Sequence, residues 1–400
     1  MRGWSLCFAA LAAGCYHPDP EAPCAVTCDF ANHGPCPGSM ECQSDNRCRP
    51  ASGGCADAAE PIPVDARAAF CHGSPQGLMR VCFDAEPTVP IMFDANEILM
   101  TDTDTRCTTY HQSMDPADDV CLVMGTSILV NSGVTLHALG TRPLVLYATT
   151  VIEVRGTIDV SSQRPNYLHP AGSRSCQEQT VINAGGGAGG TYGTRGGDGG
   201  GGNSDTMHGD GAIAAVVTPL KRVHGGCNGM DGSPGDGAGP SKGGIGGGAV
   251  YMIASTIVVL GTINASGSGG QSTGIFTGGG GGGSGGLIGC DASSVVLDNG
   301  TIIANGGAGA SGGEKAVGGA VSGDDPNPSV PLQAAVGHVN LMGEAGGGNG
   351  AVLSTGGMTG SSVADLSGVG GGGGGQGYFV INAPTISLMG AAISPPRMPP

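Results

Sequence analysis

Glycine sets the strongest limit on what this chain can fold into. It supplies 80 of 400 residues, and 67 of them lie from Gly185 onward. A glycine brings no side chain to bury and loses the most backbone entropy on ordering. The back half of the chain therefore cannot build an ordinary side-chain core. Fifteen aromatic residues (one Trp, seven Tyr, seven Phe) point the same way. The glycines cluster in five stretches, 185–202, 225–248, 267–286, 306–350 and 356–377. Several end in a dense run directly before a β-like segment, such as Gly246-Gly247-Gly248 and Gly370 to Gly375. That fixed position leaves two readings open. The stretches are extended threefold helices packed side by side on their bare surfaces, or they are flexible loops. A strict Gly-X-Y period is absent along the chain, which excludes collagen.

Between the glycine stretches a unit recurs. Leu144 to Ser161, Ala249 to Ser266, Leu287 to Ala304 and Tyr378 to Ile393 each read as strand, small polar corner, alternating strand, glycine, short strand; 127–136 is a partial copy. β-Branched residues recur at period two. One unit cannot bury its apolar face alone, but stacked copies can, through rungs such as Ile152, Ile257 and Ile386, or Ile158, Ile263 and Ile302. The expected class is all-β: a parallel β-helix over 126–394 with glycine-rich excursions carried outside it. The alternative is a β-sandwich with polyglycine insertions.

The front of the chain carries cysteine. Cys24, Cys28, Cys36, Cys42, Cys48 and Cys55 fall within 32 residues and contain no C-x-x-C pair, so a disulfide mini-domain over 24–55 is expected rather than zinc. A linker is expected over 56–67. Cys71, Cys82, Cys107 and Cys121 suit two more bridges in a β cap over 68–125. Cys176 and Cys227 are a further candidate pair, which leaves Cys290 as the odd thiol. Residues 395–400 form a Pro-rich tail.

The first fifteen residues have export chemistry: a short basic start, an apolar run from Ser5 to Ala13, then Leu11-Ala12-Ala13-Gly14-Cys15. That run resembles the lipobox of bacterial lipoproteins. The resemblance implies a signal peptide over 1–14, a diacylglyceryl group and an additional acyl chain such as palmitate on Cys15, and a tether over 15–23. Two or more acyl chains hold a protein stably on a membrane. Tyr16, rather than Asp, follows the anchor, which in that family fits the outer membrane. The whole layout of lipobox, Cys-rich stretch and "GTI-small-small" strands between polyglycine runs resembles glycine-rich cell-envelope lipoproteins of myxobacteria. In composition alone the back half is similar to the PE-PGRS proteins.

Few functional groups converge in the sequence. The formal charge of −16 and only three lysines give no basic stripe, so no nucleic-acid partner is expected. The carboxylates to consider are Asp198, Asp205, Asp210, Asp231 and Asp236, all in glycine stretches, and Asp159 beside a strand. Nine scattered histidines show no H-x-x-x-H or H-E-x-x-H spacing, so neither a metal site nor a cofactor is expected. The expected function is a structural or adhesive envelope lipoprotein without catalysis. Its partners would be the membrane through the lipid and other envelope proteins or polysaccharide. The alternative is a polysaccharide-binding or polysaccharide-degrading protein.

Overall fold

The computed structural model describes residues 36, 40–42, 48–50, 70–113, 115–162, 169–176, 181–201, 210–235, 239–314, 319–362 and 368–398. Cys15, Cys24, Cys28 and Cys55, the signal peptide, the tether and the 56–67 linker lie outside them. The chain divides into two units, Met1–Ala69 and Phe70–Pro400. In the first, β1 (Met40–Cys42) pairs antiparallel with β2 (Cys48–Pro50), and Cys36 is bonded to Cys48. Cys42 is disulfide-bonded as well.

The second unit begins with a hairpin of β3 (Phe70–His72) and β4 (Val81–Phe83), closed by Cys71–Cys82. β5 (Ile91–Phe93), β6 (Glu97–Met100) and β7 (Thr108–Tyr110) follow, with Cys107 bonded to Cys121. Long and short strands then alternate: β8 (Val120–Val130), β9 (Thr135–Leu139), β10 (Leu144–Val154), β11 (Thr157–Asp159), β12 (Ala249–Val259), β13 (Thr262–Asn264), β14 (Leu287–Asp298), β15 (Thr301–Ile303), β16 (Tyr378–Asn382), β17 (Thr385–Met389) and β18 (Ala392–Ser394). The long strands make one sheet, in the order β16-β14-β12-β10-β8-β5. The short ones make another, β18-β15-β13-β11-β9-β6. Both are parallel along these paths; β7 joins the first antiparallel to β8.

Register follows the apolar pattern. Ile152 pairs with Ile257, Ile257 with Val295, and Val295 with Ile386, while Ile158 pairs with Ile263 and Ile263 with Ile302. These side chains, with Ile386 partly buried at the margin, and Leu146, Met252, Ile288 and Phe379 form one cluster contributed by both sheets. The first halves of the long strands are buried on their other face too, where Val145, Tyr251 and Tyr378 meet Met79 and Val81 of the hairpin region.

The glycine stretches overturn both fold expectations. Neither a β-helix with polyglycine outside it nor a β-sandwich with polyglycine insertions is present, because these stretches are a packed interior of their own. Every residue from Gly278 to Gly286 is buried. Gly279, Gly282 and Gly285 donate backbone hydrogen bonds to Val369, Gly372 and Gly375. Gly278, Gly281 and Ser284 donate to Ser233, Met230 and Cys227, and Gly280, Gly283 and Gly286 donate to Gln271, Ser268 and Ala265. Each neighbour is met at every third residue, which is the repeat of an extended threefold helix, not of a strand. Carbonyls of the same segment accept from three more neighbours: Gly187 and Gly190, Gly244 and Gly247, and Gly307 and Ala310. One chain segment is thus surrounded by six.

Residues 369–377 occupy an equivalent place. They donate to segments at 184–190, 304–310 and 358–361, and accept from segments at 194–200, 279–285 and 348–351. The backbone groups are satisfied by one another. None of the glycines of 278–286 or 370–377 has a positive φ. Their identity is therefore required by closeness rather than by backbone angle: a Cβ built on Gly282 would lie against the Gly307 carbonyl oxygen, and one on Gly372 against that of Gly197, both far inside contact distance.

The domain expectations change with the fold. The boundary expected at 125/126 falls inside β8, and β5 to β7 belong to the same sheets as the repeats, so the region from Phe70 onward is part of the second unit rather than a separate cap.

Candidate functional site

The strand repeat itself builds a recess that combines buried polar groups with aromatic side chains. On the outer face of the long-strand sheet, Tyr147 pairs with Ile253, Ile253 with Asp291, and Asp291 with Asn382. Three members of that column are uncharged; the third strand puts a carboxylate there, 5% exposed. The β3–β4 hairpin reaches over it. The Ser74 N–H donates to Asp291 Oδ2 (2.9 Å), the Tyr251 hydroxyl donates to the same oxygen (3.3 Å), and the Leu78 N–H donates to the Tyr251 hydroxyl (3.2 Å). Gly289 makes this possible, because a Cβ there would meet the Tyr251 ring. Burial pushes the Asp291 carboxyl above its usual range, against the hydrogen bonds from Ser74 and Tyr251.

Beyond the hairpin edge the sheet is left uncovered, and a cleft of about 350 Å³ opens. Its floor is small: Ala148, Ala254 and Ala292. Its rim carries Thr149, Ser255 and Ser293 from three successive strands, its far side Pro384, and its near wall His72 and Tyr147. The two rings lie 4.7 Å apart between centroids, and His72 Nε2 is 3.1 Å from Glu86. Tyr147 is 1% exposed, and its hydroxyl has no hydrogen-bond partner. Burial, then the Glu86 charge, pushes that phenol up to about 12, so it stays protonated at neutral pH.

The carboxylates considered from sequence go elsewhere. Asp198 caps the bundle surface, pairing with Arg195 and accepting from the Ala214 N–H (2.7 Å). Asp231 pairs with Lys242 (2.7 Å) and accepts from the Gly243 N–H (2.9 Å). Asp159 accepts from Ser161 and faces His137 at 3.4 Å; Asp210 is exposed. Asp205 and Asp236 lie outside the described residues. Each placed carboxylate that has a partner uses it to end a backbone segment or neutralise a base. Among the described residues no group of three or more His, Cys, Asp or Glu could hold a metal ion, and no helix is long and apolar enough to cross a membrane. Cys176 is bonded to Cys227, and Cys290 is a buried free thiol. Sequence reasoning passed over Asp291. Part of the signal was present, since alignment of the repeat strands sets Asp291 opposite the apolar Ile253; Tyr147 joins the column through a register shift that follows it.

A second polar cluster is structural. Asp118, 2% exposed, accepts from Arg174 (2.9 Å) and Ser113 (2.7 Å) and pairs with Arg222. His224 lies beside it, donating from Nδ1 to the Gly225 carbonyl (2.8 Å). Burial, reinforced by the Arg174 and Arg222 charges, brings its pKa down to about 4 against the opposing Gly225 hydrogen bond. Between pH 6.5 and about 4 the unfolded chain therefore binds a proton that the folded chain refuses. Stability is full above pH 6.5 and falls as pH drops through that window. Denaturant unfolding at pH 7 and pH 4.5 should show a loss on the order of 2 kcal/mol that the His224→Gln variant largely lacks. Equal losses in parent and variant would refute this assignment.

No family model matches the chain, and no curated protein or solved structure is similar to it.

Proposed function

We infer that this chain is an exported envelope protein, anchored by lipid at Cys15 to the outer membrane, with a structural or adhesive role and no catalysis. The observation that carries the reading is the polyglycine interior. Two segments enclosed by neighbouring segments, 278–286 and 369–377, give a densely hydrogen-bonded body whose interior is mostly backbone, with few buried side chains such as Ser284, Val369 and Gln376. Rigidity without reactive groups suits a spacer or an adhesin. The cystines Cys71–Cys82, Cys107–Cys121 and Cys176–Cys227 support an oxidising location outside the cytosol. Asp159, Asp198 and Asp231 each face a separate base, which supports a non-hydrolytic reading, because hydrolysis needs two carboxyl groups held face to face. A polysaccharide-binding role is the second reading, favoured by the cleft at Asp291.

Mass spectrometry of the amino-terminal peptide from membranes of the producing cell tests the anchor. Cys15 is expected as the first residue, carrying diacylglyceryl and a further acyl chain. An unmodified Cys15 refutes the lipid anchor. Release of reducing ends from envelope polysaccharide by the purified protein refutes the absence of catalysis.

A further inference from the structure

The cleft beside the β3–β4 hairpin has a hydrogen-bonding polarity that selects its ligand. The Thr149 hydroxyl donates inward to the Thr126 carbonyl (3.1 Å), and the Ser255 hydroxyl donates inward to the Thr149 carbonyl (2.8 Å). Each spends its one proton on the backbone and turns lone pairs outward. Asp291 adds carboxyl oxygens to the same wall. Its Oδ2 already takes two donors, and burial works against ionising it further. The surface is therefore rich in acceptors. It has no Lys or Arg in its lining, and it belongs to a chain of formal charge −16. Phosphates and carboxylates are disfavoured on charge and on the shortage of donors.

The wall opposite the rim is aromatic. The His72 ring, packed on the buried Tyr147, gives an apolar face next to the acceptors, and the alanine floor sets the depth. A matching ligand carries several hydroxyl donors along an edge and a C–H face beside them, with no net charge. A volume of about 350 Å³ suits one or two six-membered rings. The acceptors on neighbouring strands lie ~4.8 Å apart, the spacing of strands in a sheet, so a second ring can continue along the rim. The buried Tyr147 hydroxyl, which lacks a partner, marks a polar group desolvated beside the cleft without being satisfied. That cost needs a compensating contact.

We propose that this cleft binds the hydroxyl edge of a neutral pyranose unit, with Asp291, Thr149 and Ser255 as acceptors and the His72 ring, backed by the buried Tyr147, as the stacking wall. This deepens the adhesive reading and rests on it: the protein would hold a polysaccharide without cutting it.

The test uses the full purified chain and saturation-transfer NMR with calorimetry against neutral methyl hexopyranosides, their disaccharides and glucuronate. At least one neutral sugar should bind, and glucuronate should bind at least tenfold more weakly. Two variants locate the site. Ser293→Trp changes an exposed rim residue and fills the mouth without touching the core. Asp291→Asn keeps the shape and changes the hydrogen-bonding. Both should weaken binding at least tenfold while thermal unfolding of Ser293→Trp matches the parent. The proposal is overturned if no neutral sugar binds, if glucuronate binds as well as the neutral sugars, or if Ser293→Trp binds like the parent. Hydrolysis of a bound disaccharide over hours would leave the site standing and sink the non-catalytic reading. Failure to bind with an acylated Cys15 would sink the site alone.

Discussion

Replacing Gly282 by alanine should destabilise the protein by at least about 3 kcal/mol, although the change adds one methyl group and improves local backbone propensity. Two effects oppose each other. Alanine reduces the freedom of the unfolded chain, which by itself stabilises by ~0.4–1 kcal/mol. In the folded chain, the new Cβ meets the Gly307 carbonyl oxygen, which cannot step aside because it accepts the Gly374 N–H at 2.8 Å, while the Gly307 N–H is bound to the Gly283 carbonyl at 2.9 Å. Relief at Gly282 means breaking the bonds that tie Gly307 to residues 369–377 and to 278–286 itself. Overpacking of a rigid core costs ~1–3 kcal/mol even where side chains can yield, and here only backbone is present. Gly239 is the matched control: its backbone φ is not positive and nothing lies within 4 Å of a Cβ built there. Gly239→Ala should be neutral or slightly stabilising. Chemical denaturation of the two variants reads the difference, and equal stabilities would mean that residues 278–286 are not enclosed by six neighbours.

The same geometry explains what could be read in advance. Side-chain period two on the strands translates directly into rungs, so the pairing of Ile158 with Ile263 and of Ile263 with Ile302 was visible in the repeats. The architecture was not, because the glycine segments follow a rule that composition blurs. A segment enclosed on all sides needs glycine almost everywhere, as at 278–286. A segment on the rim needs it only on the inward face, at every third residue: Gly226, Gly229 and Gly232, or Gly306, Gly309 and Gly312. These short runs differ in phase, so no single Gly-X-Y period spans the chain, yet each is periodic. Local threefold spacing, not glycine content, was the usable signal. Asp291 was hidden for a related reason. It lies on an ordinary repeat strand, and only its column partners Tyr147 and Ile253 show it to be out of place.

Removing the Cys176–Cys227 bridge should cost more than removing either of the hairpin-scale bridges. The bridge spans 51 residues, against 11 for Cys71–Cys82 and 14 for Cys107–Cys121. Chain entropy alone then assigns it about 4 kcal/mol and the shorter ones about 3. Its position enlarges the difference. Cys227 lies in a rim segment whose carbonyl accepts from the Ser284 N–H (2.9 Å) and whose N–H donates to the Ser284 hydroxyl (2.8 Å), so the bridge anchors a neighbour of the enclosed segment itself. Arg174, two residues from Cys176, continues the contact by donating to the Gly226 carbonyl (3.0 Å) and accepting from the Asn228 N–H (2.8 Å). Without the bridge, 174–176 and 225–228 are held by two backbone hydrogen bonds at the edge of the bundle. The double variant Cys176→Ala/Cys227→Ala should lose more stability in denaturant than Cys71→Ala/Cys82→Ala, with increased amide exchange first at 226–232. The free thiol does not complicate the comparison. Cys290 is fully buried between the sheets, and burial pushes its pKa up to about 12, so it supplies no thiolate for exchange while the fold persists. If the two double variants unfold at the same denaturant concentration, the rim of the bundle does not depend on its covalent tie.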